Sequence, residues 1–436
     1  MLKAGTGRVD ISPRKSMFLW GYPHVERMST GVNDPLYVTA LCLDDGDCKT
    51  IAIVADVLFV TAQQTAECRR RIAERAGVPG AHVMISTTHT HSAPVTCTVL
   101  AMTGDPVVPK PEAEYVEQLI QGITDAACEA VEAVEPAELA VASAQVDGVG
   151  CNRLDPDGPR DPEAGLLIVR RSADKSLLAV QMIYSMHPTV MHEDSTLASS
   201  DFPGYTRQQI ESEMPGCRVI YQNGPCGNLS PRYHVKAQTF AEAERLGNRL
   251  AGFVLDAIRS VQDIDYSSEI SVSGRHVRVP LNARAYPCFS EAEKKLEEAV
   301  AEYERLKAEN AGHGPVRTAE CVTFGAEEVV TMARAQADGT LAEFKKQYAE
   351  AEVQVLCAGD LCIAGLPGEW FVEYSLDIKK QVDGKIFVAA LTNGDLQGYI
   401  TTKGAKGYEA SLSLFPPAAG ELLVDAALSL MWTGGR

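Results

Sequence analysis

The sequence has no Lys/Arg cluster that could form a basic patch, no CxxC pair and no apolar run near the roughly 20 residues that a membrane-spanning helix needs. With 58 acidic residues against 40 basic ones and a net charge of −18, its surface repels phosphate backbones and anionic headgroups, so nucleic acid is not expected as a partner. The opening MLKAGTGRVDISP lacks the basic lead and apolar core of an export signal, and a soluble, cytoplasmic protein is expected. In that reducing setting the 12 scattered cysteines read mainly as small buried apolar residues, with disulfides the lesser reading. No repeat, low-complexity tract or Pro-rich linker divides the chain, so one domain over residues 1–436 is expected. A homo-oligomer stays open.

What the sequence does contain is an alternation of apolar strands and amphipathic helices, the pattern of α/β layers. Thr50 to Val60 reads as a buried strand, Thr61 to Ala76 as a helix stopped at Gly77, and His82 to Ser86 as the next strand, together one βαβ unit. A stripe including Leu119, Ile123 and Ala127 predicts a helix over Glu112 to Val134 that covers a sheet face. Further strands are expected at Leu166 to Val169, Leu177 to Ser185, Arg218 to Gln222, Val353 to Ala358, Leu361 to Leu366 and Phe387 to Leu391. Residues 289–345 differ. Ser290 and Glu293 suggest a capping box, a charged helical stretch follows to Ala311, and a second helical piece spans Ala326 to Ala337, which together read as a helical insertion.

Several of these strands end in polar clusters, where open α/β sheets bind ligands. His82 to Ser86 runs into TTHTHSAP, and on extended backbone His89 and His91 would point to the same side and could share a metal. A hydrogen-bonded pair at a turn is the plainer alternative. His187, Glu369 and Tyr399 arrive at other strand ends, though a backbone bond, a helix cap and a core aromatic would account for them singly. The loop QNGPCGNLSPRYH presents Cys226 and Ser230 without the GxSxG spacing of a nucleophile elbow, which favours a structural or oxyanion-holding role for Ser230. No basic neighbour in sequence activates Cys226, so it reads as inert.

The ordered blocks GRVDISP, the pair Gly21 and Tyr22, STTHTHSAP, CNR, MHP, NGPCGNLSP, LPGEWF, GYITT and YEAS resemble the neutral and alkaline non-lysosomal ceramidase family. That resemblance implies mixed β-sheets flanked by helices and zinc-dependent cleavage of an N-acyl bond. It implies His89, His187, Glu369 and Tyr399 as zinc ligands, His91 and Tyr408 beside the reacting carbonyl, and Arg153 in contact with substrate. Ser230 matches a position once considered a nucleophile, but zinc ligation implies activated water as the attacking group.

The chain also departs from the family pattern at Ala93, Val95 and Thr96, and in the stretch LDPDGPRD after Arg153. The spacing from Tyr399 to Tyr408 is short for the family, and the family's secretion signal and C-terminal immunoglobulin-like domain are not seen. These differences bear on substrate access rather than on the ligands. The expectation is therefore a zinc amidohydrolase acting on a soluble small-molecule acyl substrate smaller than ceramide. A lactone or ester hydrolase, or a zinc-containing binding protein without turnover, is the alternative.

Overall fold

In the strand Tyr37–Asp44, Val38, Ala40 and Cys42 enter one core while Leu41 and Leu43 enter another, so both faces of the strand are buried. The same alternation, Val355 against Leu356 or Ala364 against Ile363, recurs in the C-terminal strands. Sheets buried on both faces need helices outside them, and the computed structural model, which describes residues 1–432, has that construction.

Its main elements begin with β1 (Lys3–Asp10), β2 (Tyr37–Asp44), β3 (Lys49–Ala55), α1 (Ala62–Ala76), β4 (Val83–Thr87), α2 (Ala113–Glu132) and β5 (Glu135–Gln145). Next come β6 (Glu163–Arg171), β7 (Leu177–Tyr184), α3 (Phe202–Glu213), β8 (Arg218–Asn223) and α4 (Phe240–Ser260). The C-terminal part holds β9 (Val272–Pro280), α5 (Phe289–Ala308), α6 (His313–Asp338), β10 (Glu350–Ala358), β11 (Leu361–Gly365), α7 (Val372–Gln381), β12 (Lys385–Ala389) and α8 (Pro417–Trp432). One mixed sheet has the order β8-β7-β6-β5-β1-β2-β3-β4, and a second the order β9-β10-β11-β12. No helix among the described residues is long and apolar enough to cross a membrane.

The first sheet is joined weakly in its middle, where β1 and β5 pair only through Lys3 with Pro136 and Ala4 with Glu135. It bends there, and its two edges return to each other: Asn223 at the end of β8 donates from Nδ2 to the carbonyl of Thr88 just after β4, 3.1 Å away. Helices α1 and α2 cover one half, α3 and α4 the other. The inner faces of both halves and one face of the second sheet enclose a common core that includes Leu41, Met84, Leu167, Ile220, Leu356 and Phe387. Within these two sheets three strand pairs are parallel, β3 with β4, β7 with β8 and β11 with β12, each crossed by one helix, α1, α3 or α7.

The expected βαβ unit forms, with Thr61 and Gln64 making the capping box of α1 and Gly77 its left-handed C-cap at φ 70°. Other boundaries move. The strand from Thr50 stops at Ala55, because Val57 and Leu58 turn away to offer carbonyls to the loop after β4. The capping box expected at Ser290 is absent: α5 starts at Phe289 with Cys288 as N-cap, which places Ser290 inside the first turn. Helix α6 begins at His313, 13 residues before the expected Ala326, running through Gly314, Pro315 and Gly325. Of the cysteines, Cys357 and Cys362 are bonded across the β10–β11 hairpin, where they are register partners. Ten others are free, seven of them buried.

Candidate metal centre and its cavity

Three imidazoles are turned inward by bonds on their outer nitrogens. His89 Nδ1 lies 3.0 Å from the carbonyl oxygen of Leu58, His91 Nδ1 3.0 Å from that of Gly21, and His187 Nδ1 3.1 Å from that of Cys226. A carbonyl only accepts, so each Nδ1 donates and each Nε2 keeps a free lone pair, the arrangement in which a backbone partner orients a metal-binding imidazole. Ring centroids are 4.7 to 5.2 Å apart, and one nitrogen from each ring lies within 4.8 Å of the others. Burial, then neighbouring positive charge, holds His91 and His187 well below the usual histidine pKa and so neutral, the form that binds metals.

The backbone reaches this arrangement differently from the extended chain expected of the His-x-His pair. β4 ends at Thr87, and His89 sits in the left-handed region at φ 66°, a conformation a non-glycine residue holds only where its surroundings enforce it. Bonds from Thr88 N to Ala55 O and from His89 N to Val57 O supply the enforcement. His187 comes from the far half of the sheet, after β7, and meets His89 because the bend brings the two halves together. Gly21, at φ 124°, serves His91: a Cβ there would lie 2.5 Å from His91 Nδ1.

Glu369 supplies a carboxylate to the same point. Its Oε2 is 3.2 Å from His89 Nε2 and 3.7 Å from His187 Nε2, is buried, and accepts no hydrogen bond. His91 Nε2 is likewise buried without a partner. Orphaned acceptors facing one another are costly unless a cation lies between them, so this donor set fits a metal ion. Glu369 is not the cap of the following helix, whose N-cap is Phe371. Instead it pairs in register with Tyr399 in a two-residue parallel ladder, Glu369–Trp370 with Tyr399–Ile400.

Arg153 is buried against these groups. Its Nε donates to Glu409 at 2.8 Å and its Nη2 to the Gly227 carbonyl at 2.7 Å, while the guanidinium lies 5.5 and 5.3 Å from the ring centroids of Tyr399 and Tyr408. Burial pushes both phenols up, so they stay protonated. Ser230 is brought beside Arg153 by the ladder Leu229–Ser230 with Cys151–Asn152, and its hydroxyl accepts from Arg232 N at 3.1 Å. Among the described residues no base bonds that hydroxyl. Burial, with Glu369 second, pushes the Cys226 thiol up, and it is the Cys226 carbonyl that orients His187. Sequence reasoning gave no role to Glu409, Gly21 or the carbonyls of Leu58 and Cys226. Only the blocks GY and YEAS hinted at the first two.

All eight residues singled out from the sequence line one cavity of about 160 Å³. Residues 289–345 contribute part of its wall: Phe324, Gly325, Glu328 and Met332 of α6 line it together with the three histidines. Gly325 permits that approach, since a Cβ there would lie 2.6 Å from Cβ of Tyr408.

Residues 2–225 match the family described as neutral/alkaline non-lysosomal ceramidase, N-terminal, and the chain belongs to that family. Neutral ceramidases of Drosophila pseudoobscura pseudoobscura and Drosophila melanogaster are 25% and 24% identical over 235 residues, a match spanning 49% of this chain and 33% of each relative. The crystal structure of neutral ceramidase from Pseudomonas aeruginosa superposes with a TM-score of 0.76 at 19% identity, over 99% of this chain and 75% of that one. A ceramidase complexed with C2 also gives 0.76, at 18% identity. These structures share the arrangement of mixed sheets flanked by helices.

Proposed function

We propose that this protein is a zinc-dependent hydrolase that cleaves the carboxamide bond of an N-acyl compound smaller than ceramide. The observation that carries the reading is the set of three imidazoles aimed by backbone carbonyls at one unpartnered carboxylate, Glu369, in a family of ceramidases. His89, His187, Glu369 and Tyr399 would hold the ion. When bound, zinc would supply a Lewis acid and lower the pKa of water to about 7.

The chain's own residues do the rest. His91 Nε2, neutral and facing the cavity, accepts the proton of the water whose oxygen bonds to the acyl carbon, and returns it to the amine nitrogen as the C–N bond breaks. The Tyr408 hydroxyl donates to the carbonyl oxygen as it gains charge. Arg153, fixed by Glu409, holds both tyrosines in place and presents positive charge to the substrate. Ser230, without a base, serves as a polar wall of the site. For substrate size the support is the cavity itself: one of ~150 Å³ takes about a single aromatic ring, and α6 lines part of its wall.

The test compares metal-free and zinc-restored enzyme on a short N-acyl amide, the matching ester and dispersed ceramide. Zinc-dependent cleavage of the short amide ahead of ceramide is expected. Faster ceramide turnover would contradict the size argument, ester cleavage alone would move the activity to acyl esters, and turnover unchanged by metal removal would contradict the mechanism.

A further inference from the structure

Helix α6 carries two adjacent glutamates with opposite fates. Glu327 turns outward, where His24 Nε2 meets its carboxylate. Glu328 turns inward and lines the cavity on the same helical stripe as Cys321, Phe324, Gly325 and Met332.

The other charged groups lining the cavity are already engaged. Arg153 is bonded to Glu409. Arg317 donates to both oxygens of Glu193, at 2.8 and 3.0 Å, and to Glu320 at 2.7 Å. Arg232 donates to Thr318 Oγ1 and Cys321 Sγ. Glu369 faces the histidines at the metal centre. Apart from Glu369, which faces the histidines, Glu328 is the one acidic or basic side chain among the described residues lining the cavity with no hydrogen bond or ion pair. Its neighbours make matters worse: burial, then the charges of Glu369, Glu327 and Asp105, push its carboxyl up to about 8. The ionised form of this carboxyl is therefore unfavourable in the apolar wall until a cation arrives beside it.

We propose that Glu328 is a specificity-determining residue that receives a protonated amine of the substrate, so that the preferred substrates are acyl compounds carrying an ammonium group away from the scissile bond. That the amine belongs to a substrate rests on the hydrolase reading, but the amine site itself can be tested by binding alone.

Calorimetry of the zinc-replete full chain with hexylamine, hexanol and hexanoate provides that test. Wild type should bind hexylamine at least tenfold more tightly than hexanol or hexanoate, and Glu328→Gln should abolish that preference at unchanged zinc content. Equal binding of amine and alcohol would overturn the proposal. So would tightest binding of hexanoate, which would assign the cavity to the arginines, or a preference that survives Glu328→Gln, the mark of an amine held by the metal. If Glu328→Gln fails to fold, Glu328→Met and the three-ligand comparison in wild type decide the matter.

Turnover of two p-nitroanilides, of an ω-amino acid and of the matching plain fatty acid, separates this proposal from the hydrolase reading. With no hydrolysis of either but the expected calorimetry, the hydrolase reading fails and the amine site stands. Hydrolysis of both without preference removes the amine site alone.

Discussion

Glu369 and Tyr399 are register partners in a parallel ladder only two residues long. Neither is placed there by its own β11 or β12 strand. The ladder is held by Phe371 N donating to Ile400 O at 3.0 Å, and the Trp370 carbonyl accepts from Gly227 N at 2.7 Å, which ties the pair to the loop that fixes Arg153 and His187. An acid and a phenol are thereby set side by side before any ion binds.

Removing the negative charge at this position should empty the centre. Glu369→Gln keeps shape and ladder, so metal affinity should fall by about 10-fold or more, and activity with it, at nearly unchanged thermal stability. Ser230→Ala should retain both metal and turnover to within about tenfold. If Ser230→Ala abolished turnover while Glu369→Gln did not, a covalent serine mechanism would replace attack by activated water.

The histidines should divide by role. His89→Ala should lose metal and activity together, whereas His91→Ala should keep the metal and slow turnover by roughly 10² to 10⁴, the usual worth of a positioned general acid or base. The slowing should be smaller on an activated anilide, whose leaving group needs less protonation. Metal content measured beside turnover checks both, and loss of metal from the His91 variant would make it a ligand, as its place among the three clustered imidazoles also allows.

Gly21→Ala reaches the same histidine from the backbone. The added Cβ would lie 2.5 to 2.6 Å from His91 atoms and φ is 124°, so a strain of about 1–3 kcal/mol is expected. Turnover should fall toward that of the His91 variant while metal content holds. A fully active Gly21→Ala enzyme would show that His91 does not need this orientation.

One pH effect on stability should come from outside the centre. Burial raises the Asp201 carboxyl to about 7, although its oxygens accept from the backbone N–H of Val190, Met191 and Phe202. The folded state therefore keeps a proton that the unfolded chain releases near pH 4. Its contribution is fully present below about pH 4 and is lost as pH rises to about 7, at ~1.4 kcal/mol per pKa unit. Urea unfolding at several pH values should show wild type losing a few kcal/mol relative to Asp201→Asn across that window. Parallel curves would mean the carboxyl titrates normally in the fold.

The sequence shows the strand ends and the residues on them, because a buried strand must stop in a polar loop and the apolar runs before His89, His187 and Glu369 are plain. Their meeting is not legible. It depends on the weak β1–β5 junction that bends the sheet, and β1 and β5 carry too many small and polar residues to stand out. Glu409 and Gly21 escaped attention for a related reason. Their partners, Arg153 and His91, lie 256 and 70 residues away, and no local pattern encodes such contacts. Glu328 stands directly after Glu327, and sequence alone does not tell the inward-facing acid of such a pair from the solvated one.

The central claim is that one zinc ion per chain, held at His89, His187, Glu369 and Tyr399, makes the enzyme active. The most direct measurement is a titration of metal-free protein with zinc, following bound metal and cleavage of a short N-acyl amide in the same samples. Turnover should rise in proportion to bound zinc and level off at about one ion per chain. Full turnover with no bound metal, or a chain that binds no zinc at all, would contradict the account.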